Sequence, residues 1–360
     1  MYSDNRLGEE KIRLANLNKN FGQVIAVQEV DLTLMDEDLL SLVGPSGCGK
    51  TTTLRLIAGF DEPDSGDIMV DDVSVLNLPP EKRNMGIVFQ NYALFPHLTV
   101  AENIGYGLRF QKDIPTKDRI KEMLAMVDMK ELADRMPDQL SAGQKQRVSL
   151  ARSLAPAPGI LLLDEPLSAL DQKLQQKLKL EIKRIHNELE LTTLWVTHDQ
   201  AQALSIADKV AVMNRGRIEQ LGPPREVYSR PVNEFTARFI GKGNLLRGEV
   251  KKIGDSRASI KINGSGIMEI KIDQLELKNG DLVLLLIRPE DFDLFPAEKD
   301  NSEGLTGEII ASEFLGDSTL LHILSGNKEL LVKTDRYSER EFFVGQKWAV
   351  SPTATPHIVK

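Results

Sequence analysis

Gly44-Pro45-Ser46-Gly47-Cys48-Gly49-Lys50-Thr51 fits G-x-x-x-x-G-K-[ST] at every fixed position. The run before it, Leu39-Leu40-Ser41-Leu42-Val43, is apolar enough for a buried parallel strand. The run after it, Thr52-Thr53-Leu54-Arg55-Leu56-Ile57-Ala58, reads as a helix. A strand that feeds a glycine-rich loop into a helix N-terminus makes an anion cradle. Backbone N–H groups point inward, the helix dipole favours negative charge, and Gly47 and Gly49 let the backbone approach phosphate. Gly44, Pro45, Ser46, Cys48 and Thr52 complete the stretch that would surround a nucleoside triphosphate, with ATP the expected ligand. Lys50 would reach the β- and γ-phosphates, and the Thr51 hydroxyl would ligate Mg²⁺.

At 360 residues the chain is long enough for about two domains. The net charge of −8 argues against a nucleic-acid partner, which needs a basic face. Cys48 is the single cysteine, so no internal disulfide forms, and a reducing compartment is expected. No stretch reaches the roughly 18 consecutive apolar residues of a membrane span. Met1-Tyr2-Ser3-Asp4-Asn5 has no apolar signal-peptide core. A cytosolic protein is expected, with any membrane contact made through a partner.

The texture of the chain changes near residue 243. Before it, strands alternate with helices. Ile160 to Leu163 and Thr193 to Val196 read as buried strands. Asp171 to Leu191 reads as a helix on the spacing of Leu174, Leu178, Ile182 and Ile185, and Pro115 to Asp134 as another on Ile120, Leu124 and Val127. Strand, helix, strand implies a crossover and a parallel sheet. After Gly241-Lys242-Gly243-Asn244, short alternating runs are broken by Asn263-Gly264, Asn279-Gly280 and Ser325-Gly326-Asn327, the last a hairpin turn by composition. A small all-β barrel of about five or more strands is expected there. The chain has no repeats, low-complexity tracts or coiled-coil heptads.

Two further stretches narrow the chemistry. Ile160 to Glu165 is an apolar strand ending in two acids. Asp164 is placed to hold Mg²⁺, directly or through water, and Glu165 to accept a proton from attacking water. Leu140-Ser141-Ala142-Gly143-Gln144-Lys145-Gln146-Arg147 opens a helix, with Ser141 as N-cap and Gly143 permitting close approach of an anion. One nucleotide hardly needs two cradles, so the second is expected to serve another subunit.

With these stretches the chain resembles the nucleotide-binding subunit of ABC transporters, in the importer branch with a C-terminal β-domain. Leu140 to Arg147 is similar to the family signature L-S-G-G-Q-x-Q-R, and Phe89 to His97 to the segment called the Q-loop. Pro166 to Asp171 resembles the D-loop and Val196 to Gln200 the switch-histidine segment. Phe21, in Asn20-Phe21-Gly22, resembles the aromatic that stacks on adenine, with plain core packing as the other reading. Ile287 to Glu290 and Glu313 to Asp317 resemble the β-domain of sugar, polyamine and ferric-ion importers. The resemblance implies an α/β ATPase domain over residues 1–243, with a parallel-sheet core and a helical subdomain at about 91–155. An OB-like β-barrel for regulation or dimerisation would follow over 244–360.

It also implies a head-to-tail homodimer that sandwiches two ATP. Each nucleotide would touch the phosphate loop of one copy and Ser141, Gly143 and Gln144 of the other. Gln90 would sense Mg²⁺ and water while its loop touches the permease, His198 would contact the γ-phosphate, and Asp171 would reach across the dimer. ATP hydrolysis would drive alternating access in separate permease subunits served by an extracytoplasmic solute-binding protein, with this chain peripheral on the cytoplasmic face of the membrane. Other readings are a soluble ABC-type ATPase acting on nucleic acid or ribosomes, and a weakly active regulatory subunit. The sequence departs from the family at Ala142, where the signature has its first glycine. It departs also at Gln202, where many relatives have an acid, and at Glu37-Asp38, where Gly-Glu is usual, so that turn is expected to differ. Cys48 leaves two readings open: a thiolate favoured by Lys50 and the helix N-terminus, or a small apolar filler.

Overall fold

Leu39–Val43, Ile160–Asp164 and Thr192–Thr197 are buried along their whole length. Their residues alternate between two cores. Leu39, Leu161, Leu163 and Trp195 face one apolar cluster, while Leu40, Leu42, Ile160, Leu162, Leu194 and Val196 face another. Continuous apolar runs are what a parallel sheet covered on both faces requires. The computed structural model describes residues 9–111, 114–272, 277–297, 304–335 and 342–359; Met1–Asn5, read above for a leader, lie outside them.

These strands form the middle of a six-stranded sheet in the order Arg217–Gly222, Lys209–Asn214, Leu39–Val43, Thr192–Thr197, Ile160–Asp164, Met85–Val88. All neighbours pair in parallel except the first two, which form an antiparallel hairpin. Glu10–Phe21, Val24–Met35, Ser65–Val70 and Val73–Ser74 build a separate antiparallel sheet whose Leu14, Leu17 and Leu32 join the second cluster. The first cluster is closed by helices Val100–Gly105, Thr116–Met126, Ala142–Leu154 and Gln172–Glu188.

Helix ends follow local chemistry. Asp171 caps Gln172–Glu188, and its carboxylate accepts the Leu174 N–H at 3.0 Å. That helix buries Leu178, Ile182 and Ile185 as the periodicity predicts. The helix expected to reach Asp134 stops at Met126. Asp128 takes a φ of +56°, which breaks the helical run, and a single 3₁₀ turn follows at Lys130–Leu132.

The chain separates into two compact units, Met1–Arg225 and Glu226–Lys360. In the second, Ile267–Lys271, Arg257–Ile262, Asn244–Ile253, Leu282–Ile287 and His357–Val359 form one antiparallel sheet. Phe292–Pro296, Lys347–Pro352, Leu305–Phe314, Ser318–Ser325 and Lys328–Asp335 form another. One core, including Leu246, Ile260, Leu285, Ile309, Leu321 and Val350, is shared by both. The hairpin read at Ser325-Gly326-Asn327 is present, with Ser325 opposite Lys328 and Gly326 at φ +60°. Asn244, where the texture changes, opens a strand and ties the sheets together. Its Nδ2 donates to the Ile287 and Leu331 carbonyls, and its Oδ1 accepts the Leu331 N–H.

The residues before Asn244 are held to this unit by Arg288. Its guanidinium donates to the carbonyls of Tyr228 and Lys242 and lies 4.1 Å from the Tyr228 ring centroid. We propose that the β-unit folds independently, its boundary lying between the contact division at Arg225 and the compositional one at Gly243.

His186 gives the first unit a pH dependence. It is buried, with Nδ1 3.0 Å from Thr193 Oγ1. Burial pulls its pKa from 6.5 to about 4, aided by the charge of Lys183 and opposed by Asp208. Between those values the unfolded chain binds the extra proton. Stability is therefore full above the unfolded value and falls as the pH drops toward the folded one. Going from pH 7 to pH 5 is expected to remove about 2 kcal/mol. In thermal melts, His186→Gln should shrink that fall; an equal fall in both proteins would show that other groups carry it.

Candidate active site

Parallel pairing places the carboxyl ends of the central strands along one edge of the sheet. Val43 is opposite Thr197, Asp164 opposite Val196, and Val88 opposite Leu163. The chain leaves those ends as Gly44, Glu165, His198 and, two residues after Val88, Gln90. Four stretches far apart in sequence thus arrive at one place.

The loop from Gly44 turns into the helix Lys50–Ala58 through Gly47 at φ +79° and Gly49 at φ +111°. A Cβ at Gly49 would collide with the Ala26 carbonyl oxygen, so glycine is required there on both counts. Lys50 is buried, and its ammonium donates to the carbonyls of Gly44 at 2.8 Å and Pro45 at 3.0 Å. The cation thus sits inside the loop's curve. The far end of the helix is held by Arg83, a residue the sequence reading missed. Its Nη1 donates to the carbonyls of Leu56 and Ile57.

Thr51 Oγ1 donates to Asp164 Oδ1 at 2.9 Å. Burial raises the pKa of Asp164, and the neighbouring Glu165 charge adds to this; the Thr51 hydrogen bond, Lys50 and Arg55 oppose it. A buried carboxylate beside a hydroxyl oxygen is a donor set suited to a hard divalent cation, whose charge would offset that burial. Mg²⁺ therefore fits the residues present.

Glu165 follows with a φ of +45°, an unfavourable backbone state for a side chain with a Cβ. Its N–H is fixed by the Val196 carbonyl at 3.0 Å. Its carboxylate lies between two groups: Gln90 Nε2 donates to Oε2 at 3.2 Å, and His198 Nδ1 is 3.0 Å from Oε1. Gln90 Nε2 also reaches Ser168 Oγ at 3.3 Å, and that hydroxyl donates to the Glu165 carbonyl. A polar cavity of about 60 Å³ opens beside Glu165, Ser168, Thr197, His198 and Asp199, with space for water.

Among the described residues, no hydrogen bond links Ser141, Gln144 or Asp171 to the phosphate loop. Ser141 and Gln144 instead form a reciprocal cap on Ala142–Leu154, and Asp171 caps its own helix. Gly143 is buried where a Cβ would press on the end of Leu174 at 2.7 Å. Phe21 is 51% exposed at the end of its strand, with the Lys19 ammonium 5.4 Å from its ring centroid, which removes the core reading. Cys48 takes the filler role. It is buried in the second cluster, and burial raises its thiol pKa against the opposing pull of Lys50.

Of the departures, Ala142 is the first helical residue and has no positive φ, so alanine carries no left-handed backbone strain there. Glu37 takes φ +61°, so the turn places a non-glycine residue in the left-handed region. Gln202 is buried, with Nε2 3.5 Å from Gln175 Oε1. Gln175 in turn donates to the carbonyls of Leu167 and Leu170 at 2.9 and 3.0 Å. No local pattern signals Ser168, Gln175 or Arg83, because each also meets a partner from a distant element: Gln90, Gln202 and the helix Lys50–Ala58 in turn.

Comparison with known proteins agrees with this geometry. The family model described as ABC transporter matches residues 27–168, and that of the TOBE domain matches 285–356. The spermidine/putrescine import ATP-binding protein PotA of Thermotoga maritima is 48% identical over 282 residues, covering 78% of this chain and 76% of that protein. The protein of the same name from Vibrio cholerae is 40% identical over 354 residues, covering 96% and 93%. A dimeric ATP-binding cassette in a post-hydrolysis state, bound to ADP and phosphate, superposes with a TM-score of 0.55 at 32% identity. That match covers 59% of this chain and 99% of the cassette. With the phosphate loop, the paired acids and the two-domain order all in place, the chain belongs to the ATP-binding subunits of ABC transporters, in the importer type that carries a C-terminal TOBE domain.

Proposed function

We propose that this chain couples ATP hydrolysis to the import of polyamines. In this reading two copies close head to tail on two ATP. The observation that carries the hydrolytic role is the Glu165 carboxylate held between Gln90 and His198, beside the Thr51–Asp164 pair. The substrate class rests on the relatives, whose names specify spermidine and putrescine.

Each residue has a task that its geometry supports. The N–H groups of Gly47 to Thr51 and the Lys50 ammonium bind the β- and γ-phosphates. Thr51, Asp164 and the amide oxygen of Gln90 would hold Mg²⁺, which when bound draws charge from the phosphate oxygens. Glu165 accepts the proton of the attacking water, and Gln90 and His198 keep its carboxylate aimed. His198 also contacts the γ-phosphate. Phe21, exposed at a strand end, stacks on the adenine. Ser141, Gly143, Gln144 and Asp171 serve the partner copy, which accords with their lack of hydrogen bonds to the phosphate loop of their own chain.

Among the described residues, no helix is long and apolar enough to cross a membrane. On the strength of its import ATP-binding relatives, the chain acts at the cytoplasmic face through permease subunits, contacted by the loop after Gln90. A solute-binding protein on the other side delivers the polyamine.

Glu165→Gln keeps the shape of the side chain but removes the proton acceptor. Hydrolysis should fall by about a hundredfold or more while ATP binding persists. The variant should accumulate as an ATP-bound dimer on size-exclusion chromatography, whereas wild-type turnover would remove Glu165 from the base role. In proteoliposomes containing the matching permease and binding protein, labelled spermidine or putrescine should enter only with Mg-ATP. Uptake of a sugar or ferric ion instead would overturn the polyamine assignment and leave the ATPase untouched.

Ala142→Gly addresses the altered signature. The position already has helical backbone, so the change should hold hydrolysis within about twofold and cost less than about 1 kcal/mol of stability. A tenfold gain in rate would mean that the methyl group obstructs the partner's nucleotide.

A further inference from the structure

Tyr92 and Ala93 are consecutive non-glycine residues with φ of +63° and +48°. A residue with a Cβ avoids this region, and two in a row persist only where neighbours hold them. The pair lies just after Gln90, and its own N–H groups close around that residue. Tyr92 N–H donates to the Phe89 carbonyl at 2.9 Å, and Ala93 N–H to the Asn91 carbonyl at 2.7 Å. The backbone on both sides of Gln90 is therefore set by this turn.

The hold comes from the helix Ala142–Leu154. Ser149 and Arg152 are three residues apart and share a helix face. Ser149 Oγ donates to the Tyr92 carbonyl at 2.9 Å. Arg152 Nη2 donates to the same oxygen at 3.1 Å, and Nη1 to the Ala93 carbonyl at 2.6 Å. The guanidinium also lies 5.5 Å from the Phe95 ring centroid. Three donors and one cation–ring contact thus converge on three residues of the loop, Tyr92, Ala93 and Phe95. Burial lowers the Arg152 pKa, so the charge is desolvated and spent on two carbonyl oxygens.

We propose that Arg152, with Ser149, is a positioning residue for ATP hydrolysis: it holds the Tyr92–Ala93 turn and thereby sets Gln90 against Glu165. The helix that carries the signature thus controls the hydrolytic side of its own subunit. The inference rests on the roles assigned above to Gln90 and Glu165.

The test uses the full-length chain with Mg-ATP. Arg152→Lys keeps the charge but loses the fork that reaches two carbonyls. The expected result is a kcat reduced by about tenfold, with KM and nucleotide affinity within about twofold of wild type. Ser149→Ala, which removes one donor, should lower kcat by about two- to threefold on the same pattern. Adding Ala93→Gly to Arg152→Lys should recover about half or more of the lost rate, because glycine takes positive φ without strain. An unchanged kcat in Arg152→Lys would overturn the proposal. So would a parallel loss of kcat, nucleotide affinity and melting temperature that glycine does not restore, since that marks a residue needed only for folding. Glu165→Gln in the same assay separates the two levels. If it is inactive while Arg152→Lys equals wild type, only the positioning role falls. If it turns over at the wild-type rate, the base assignment falls and the proposal with it.

Discussion

The parallel register of the central sheet is the constraint from which the site follows. Val43 opposite Thr197 and Asp164 opposite Val196 bring the phosphate loop, the two acids and His198 to one edge. Strand side chains alternate with a period of two, so a one-residue slip would exchange the two apolar clusters and turn Asp164 away from Thr51. Close packing of side chains of different size on the two faces opposes that slip. Packing that has nothing to do with nucleotide thereby sets the catalytic geometry.

The site concentrates groups that are unfavourable alone. Asp164 is a buried acid beside another acid, Lys50 a buried ammonium, and Glu165 a non-glycine residue at positive φ. Their neighbours compensate in part: carbonyls around Lys50, a hydroxyl on Asp164, an amide and an imidazole on Glu165. Strain and desolvation of this kind persist where the surrounding fold holds them and function uses them. A polyphosphate bearing a divalent cation would supply the complementary charges.

The β-unit is organised on different physics. Its described strands pair antiparallel throughout, and buried polar side chains tie its backbone together. Asn244 satisfies backbone groups in both sheets, and Arg288 caps carbonyls in the segment that leads into them. Arg288 is almost fully buried, so its charge would be costly without those carbonyls and the Tyr228 ring.

Much of this was legible in the chain. The phosphate loop, the apolar strand ending in Asp164-Glu165, the cap at Ser141 and the turn at Gly326 are local signals. Local chemistry decides such features: glycine where φ is positive, a short polar side chain at a helix start, alternation or continuity of apolar residues. The end of the helix at Met126 was not legible, because the break depends on Asp128 adopting a left-handed backbone. Nor was the choice between a reactive and a buried Cys48, which packing made. The partners of Glu165, Arg83, Gln175 and Arg152 were beyond reach for the same reason. Gln90 is 75 residues from Glu165, Leu56 is 27 from Arg83, Gln202 is 27 from Gln175 and Ala93 is 59 from Arg152, and only the assembled sheet and helices bring these atoms together. Sequence alone determined which chemical groups the protein possesses and which strands and turns carry them. Tertiary structure decided which of those groups touch, because contact between distant segments is set by the packing of both sheet faces and by no local pattern.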